Sequence, residues 1–156
     1  MTIKTERRLS ARLGKDSRHR ARETALQMLY QWEVGRTSVS EVLRTFWFHE
    51  QEADDGGLSE DLRRFAVRLL TGVTDAVGAI DPVIVESTEH WRIERMNVMD
   101  RLILRLAIYE FLHEVDTPAR VIINEALELA RTFSGDDAVR FINGILDAIR
   151  RRLGRE

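Results

Sequence analysis

Apolar residues return at three- and four-residue spacing along almost the whole chain from Ser17 to Leu153. That is the period of an α-helix and not of a strand. Ser17 can cap a first helix running to about Gly35, with Ala21, Ala25, Met28, Leu29 and Trp32 in one stripe. A shorter helix is predicted from near Ser40 through Val42, Leu43, Phe46 and Trp47, followed by a solvated acidic connector, Asp54 to Gly57. Ser59 can open a third helix through Leu62, Phe65, Ala66, Leu69, Leu70 and Val73. Asp81 followed by Pro82 predicts a fresh helix start, because proline at the first turn forfeits no hydrogen bond and the acid caps the donors behind it; this helix should fade near Trp91.

Asn97 can cap the segment Val98 to Val115, where Ile103, Leu104, Leu106, Ala107, Ile108, Phe111 and Leu112 cover most of the circumference. A helix apolar nearly all round belongs at the centre of a fold. Thr117 and Pro118 repeat the cap-and-proline signal ahead of Ile122, Ile123, Ala126, Leu127, Ala130 and Phe133. A last helix, from about Asp137 to Leu153, buries Phe141, Ile142, Ile145, Leu146 and Ile149 and gathers arginines at its C-terminal end, where the helix dipole favours cations. The expectation is an all-α fold: a compact seven-helix domain over residues 17–156, preceded by a flexible basic extension over residues 1–16.

A chain of 156 residues with 44% hydrophobic content can close a core of this kind. The absence of cysteine removes disulfides, thiolate metal sites and cysteine nucleophiles together, and suits a reducing, cytoplasmic setting. No apolar run approaches the roughly 20 residues that span a bilayer, so no membrane role is expected. Charge is more telling than its total. Residues 1–22 hold eight Lys or Arg against Glu6 and Asp16, a balance of +6 that leaves −8 in the rest of a chain whose net charge is −2. A basic arm on a mildly acidic body localises polyanion contact.

Catalytic constellations are missing from the sequence. It has no phosphate-binding glycine loop ending in Lys-Ser or Lys-Thr, no Gly-x-Ser-x-Gly elbow and no dinucleotide fingerprint. His19, His49, His90 and His113 are scattered and form no His-Glu-x-x-His pair, so neither a metal nor another cofactor is expected. The acid pairs Asp54-Asp55 and Asp136-Asp137 sit where solvated or helix-capping carboxylates usually sit. A non-enzymatic role follows.

What remains is the string Ser17-Arg18-His19-Arg20-Ala21-Arg22-Glu23, which crowds cations at the expected start of a helix. Dipole logic favours acids there, so each cation forgoes up to about 1 kcal/mol of helix stabilisation. An external polyanion explains the arrangement, and a solvated basic face is the plain alternative. Tyr30 falls roughly 160° from the buried stripe of the first helix, on the wet face open to a partner. Asp100, in the first turn of the central helix, reads as an acid complementing the dipole.

These residues carry a resemblance. Arg18-His19-Arg20-Ala21-Arg22-Glu23, with Ala25, Leu26, Gln27, Leu29, Tyr30 and Trp32, is similar to the N-terminus of the NusB family. Val121 to Ala130, then Phe133, Asp137, Phe141, Ile142, Asn143, Gly144, Ile145, Leu146 and Asp147, resembles the C-terminal signature of that family, and Leu104 to Glu110 its central helix. The likeness runs in order from about Ser17 to Ile149.

The resemblance implies a transcription antitermination factor that pairs with the ribosomal protein NusE and binds boxA-type single-stranded RNA in the elongation complex during ribosomal RNA synthesis. By position it assigns Arg18, His19, Arg20 and Arg22 to an arginine-rich RNA-binding segment, with His19 departing from the commonest all-arginine pattern. It assigns Arg140 and Phe141 to a second RNA patch, Asp137 to tuning that contact, and Tyr30 and Asp100 to the NusE face. Phe141 also borders the apolar stripe of its helix, so core packing is its other reading. Asn124 and Glu125 are family hallmarks best given to local hydrogen bonding. Two alternatives stand beside this reading: a homodimeric helical scaffold whose RNA surface is masked, and a stand-alone module related to ribosomal RNA cytosine methyltransferases.

Overall fold

A computed structural model describes residues 3–54, 56–88 and 93–156, with side chains placed from Arg18 onward. Among the described residues the regular structure is entirely helical: α1 (Ile3–Val34), α2 (Val39–Glu52), α3 (Glu60–Ser87), a single 3₁₀ turn (Ile93–Arg95), α4 (Val98–His113), α5 (Ala119–Phe133) and α6 (Asp136–Arg152). The chain falls into two compact units, residues 1–70 and 71–156.

Three boundaries differ from expectation. Helical backbone begins at Ile3, so Ser17 lies inside α1 and does not cap it. Residues 3–16 contain no proline and are rich in Arg, Lys, Leu, Glu and Ala, all good helix formers. The first two residues of the expected extension, and its side chains, lie outside the described residues. Ser38, not Ser40, caps α2, accepting a hydrogen bond from the Glu41 N–H at 3.2 Å.

The third difference changes the helix count. Asp81-Pro82 starts no new helix; α3 continues through Pro82 as far as Ser87. Pro82 cannot donate to the carbonyl of Gly78, but Gly78 is exposed and water can take that place. Asp81 caps nothing and instead accepts two hydrogen bonds from Arg105, at 2.8 and 2.9 Å. The described residues therefore hold six α-helices and one 3₁₀ turn where seven helices were expected. The expected fade near Trp91, and His90 with it, lie outside the described residues.

In the first unit, Ala21, Ala25, Leu26 and Leu29 are fully buried along α1, while Val42 and Phe46 are buried on α2. Trp32 is half-buried, and Trp47 on α2 is 44% exposed. Glu50 ties down the connector after α2, accepting from the Leu58 N–H at 2.7 Å and from Arg63 Nε at 3.0 Å.

The second unit is built on α4, whose residues Leu102 to Phe111 are all buried, as an all-round apolar helix requires. Each fully buried Leu or Ile there contributes about 1.5–3 kcal/mol relative to exposure. α5 and α6 pack on α4 and on each other through Ile122, Ala126, Leu129 and Ala130, and through Ile142, Ile145, Leu146 and Ile149. Past α6, Arg155 returns to the α4–α5 loop and donates to the carbonyls of Val115 at 2.9 Å, Thr117 at 2.7 Å and Glu114 at 3.3 Å.

Candidate functional site

The basic segment of α1 sorts into distinct environments one residue at a time. Arg18 and Arg20 are exposed. His19 is half-buried and lies 2.8 Å from Glu23 one turn on, so an acid already faces the position that departs from arginine. Arg22 is different: it is buried to 2% exposure, with its guanidinium 5.2 Å from the centroid of the Phe65 ring. From there it cannot offer its charge to a phosphate as Arg18 and Arg20 can, and it acts as a packed cation against an aromatic face. Helical phase explains the split, because Arg22 follows Ala21 and precedes Ala25 and Leu26 along the buried side of α1.

Phe65, on α3 and only 5% exposed, was read from sequence as core. It is also a platform. Arg18 and Arg68 each stand 5.2 Å from the same ring centroid as Arg22 does. Cation–π contacts of this kind are worth about 0.5–1 kcal/mol each at exposed sites. Arg68 escaped the sequence reading, although a signal was there: its helical neighbours at three and four residues are Arg64, Phe65, Thr71 and Gly72, none of them an acid. Tyr30, also in the first unit, is 41% exposed, in keeping with its helical phase.

In the second unit, Asp137 and Arg140 are exposed in the first turns of α6, while Phe141 is half-buried. Asp100 is not on the surface. It is 9% exposed and accepts a 2.6 Å hydrogen bond from Ser134 Oγ at the end of α5, so it ties the start of α4 to the α5–α6 junction. Asn97, three residues earlier, caps α4 by accepting from the Met99 N–H at 2.9 Å. Asn124 is exposed on α5 beside an open cleft of about 270 Å³ that Asp147 and Arg150 of α6 also line. Hydrogen bonding to Arg150, and the charges of Arg151 and Arg150, hold the Asp147 carboxyl below the ordinary carboxylate range.

Among the described residues, no group of three or more His, Asp or Glu is arranged to hold a metal, and no helix is long and apolar enough to cross a membrane. The exposed cations Arg18, Arg20, Arg68 and Arg140 and the exposed Tyr30 stand on helices of an all-helical chain. The NusB family model matches residues 19–151, and the chain belongs to the NusB family.

Its relatives are transcription antitermination proteins, regulatory factors and not enzymes. NusB of Koribacter versatilis is 42% identical over 156 residues, covering 100% of this chain and 97% of the relative. NusB of Desulforudis audaxviator is 44% identical over 132 residues, covering 85% and 91%. Among solved structures, NusB of T. maritima superposes with a TM-score of 0.75 at 33% identity, over 86% of this chain and 90% of that one. A chain from the crystal structure of the antitermination factors NusB and NusE in complex with dsRNA gives a TM-score of 0.76 over 88% of this chain and 98% of its own; at 23% identity the likeness is one of fold.

Proposed function

We propose that this protein pairs with NusE and binds boxA-type single-stranded RNA within the transcription elongation complex during ribosomal RNA synthesis. The observation that carries this reading is the pair of exposed arginines, Arg18 and Arg20, on the first helix of a NusB-family chain. The solved complex of NusB and NusE with dsRNA, one chain of which shares this fold, supports the pairing with NusE and the contact with RNA. Arg18 and Arg20 contact phosphates, His19 adds a stacking or donor group, and Arg22 holds the segment in place from its seat on Phe65. Arg140, Phe141 and Asp137 form the second RNA patch. Tyr30 supplies a partner contact, and Asp100 serves the NusE face indirectly, through the junction it fixes with Ser134.

The experiment compares RNA binding by the full chain with and without NusE, on a boxA strand and on a scrambled strand of equal length. NusE should raise affinity for boxA more than for the scrambled strand. Equal affinity for both strands in the presence of NusE would overturn the boxA reading. About three to five engaged phosphates would give a slope of log affinity against log salt of about −2 to −3.5 on a single strand.

A further inference from the structure

The exposed line of α1 changes character along its length. Arg20 stands on it, and Gln27, Tyr30 and Val34 continue it at three- and four-residue spacing without a charge. Tyr30 and Val34 are 41% and 49% exposed. In a chain that is 32% charged, such a stretch offers a partner apolar area with no ion to desolvate. The helix then ends on a costly residue. α1 stops at Val34, and the left-handed position that closes a helix, which glycine usually takes, falls not to Gly35 but to Arg36, at φ 50°. Gly35 has its own constraint, since a Cβ there would lie 2.5 Å from the carbonyl oxygen of Gln31.

A side chain in the left-handed region loses stability, because its Cβ crowds a neighbouring carbonyl. Nothing within the protein offsets that loss. Arg36 is exposed, and among the described residues its guanidinium neither donates to a carbonyl nor pairs with an acid. A backbone outlier of this kind points to a use outside the fold. We infer that Arg36 is a binding residue of the NusE face, an ionic contact at the end of the Tyr30–Val34 stretch that takes a carboxylate of NusE beside an apolar side chain. The inference rests on the NusE reading above and extends that face from Tyr30 past the end of α1. Arg36 is two residues beyond Val34, so their Cα atoms are no more than about 7.6 Å apart. Tyr30 and Val34 give contact area, while the cation at the rim speeds encounter and fixes which way the partner lies.

The test measures NusE affinity and melting temperature of the full chain side by side. Arg36→Gly removes the charge and suits the left-handed turn, so affinity should fall about three- to fivefold, the scale of an exposed ion pair, while Tm rises by about 2–4 °C. Arg36→Gln keeps the backbone cost and should lose the same affinity with Tm unchanged. The ratio of wild-type to Arg36→Gln affinity should shrink as salt rises from about 0.01 M to about 1 M, where the Debye length contracts from about 30 Å to about 3 Å. Arg36→Gln binding NusE as the wild type does, while Tyr30→Ala is weakened, would overturn the inference and leave the NusE reading intact; a loss seen only in Arg36→Gly would then belong to the turn and not to the charge. A melting temperature of Arg36→Gly below that of the wild type would show the arginine serving the fold, and would overturn it as well. A wild-type protein that does not bind NusE would overturn both readings.

Discussion

Arg105 grips Asp81 through two parallel hydrogen bonds, joining buried α4 to the last third of α3. The arginine side chain is 8% exposed and the aspartate 28%, so the charge that would be stranded by breaking the pair is the arginine. Asp81→Ala should cost about 2–3 kcal/mol, below the usual range for a fully buried pair because Asp81 keeps some water. Arg105→Met in the same chain should recover part of that loss. Denaturant unfolding of the single and double variants checks both statements, and strictly additive losses would count against a coupled pair.

Gly72 and Gly78 lie on one helix and should respond oppositely to alanine. A Cβ on Gly72 would stand 2.2 Å from the ring of Tyr109, which is itself 8% exposed and stacked 4.8 Å from His113, so the ring has little room to yield. Gly72→Ala should lose about 1–3 kcal/mol through overpacking. Nothing lies within 4 Å of a Cβ on Gly78, and Gly78→Ala should gain about 0.5–1 kcal/mol from helix propensity. Thermal unfolding of the two variants reads the signs directly.

Tyr30→Ala should separate binding from folding. An exposed tyrosine on the polar side of α1 contributes no more than about 0.5 kcal/mol to stability. NusE affinity should nonetheless fall about tenfold, equivalent to about 1.4 kcal/mol. Titration calorimetry against NusE, with a melting curve on the same sample, distinguishes this from a substitution that merely unsettles the helix.

Asp147 carries a pH dependence whose direction is fixed by its partners. Its folded pKa is depressed below the ordinary 3.8, so the stability it adds is fully present above 3.8 and disappears as pH falls through the lower folded value. The stability gap between wild type and Asp147→Asn should be constant from neutral pH down to about 5 and close below about 3.8. A gap that widens on acidification would reverse the assignment.

Helix existence was legible because its signals are local. Asn97 and Ser59 cap where the sequence places them, Tyr30 is exposed as its phase requires, and α4 is buried along the run its composition marks. Other readings miss because the partner is distant in sequence. Asp81 looked like a cap because its real partner is Arg105, 24 residues on; Asp100 does sit in the first turn of α4, but its Ser134 partner, 34 residues away, leaves no signal beside it in the sequence. Arg22 reads as one more cation in a basic string until Phe65 of α3 is seen beneath it. The α2 helix carries Trp47 as expected, but it buries only Val42 and Phe46 and leaves the indole outside.

The return of Arg155 to the carbonyls of Glu114, Val115 and Thr117 makes the α4–α5 loop and the end of α6 a single latch. A loop held only by its own turns frays on its own, with amides exchanging and proteases cutting at rates set by that loop alone. Here the loop cannot open until Arg155 lets go, so its backbone should exchange hydrogen in step with the last turn of α6, and a protease that nicks one segment should find the other unguarded.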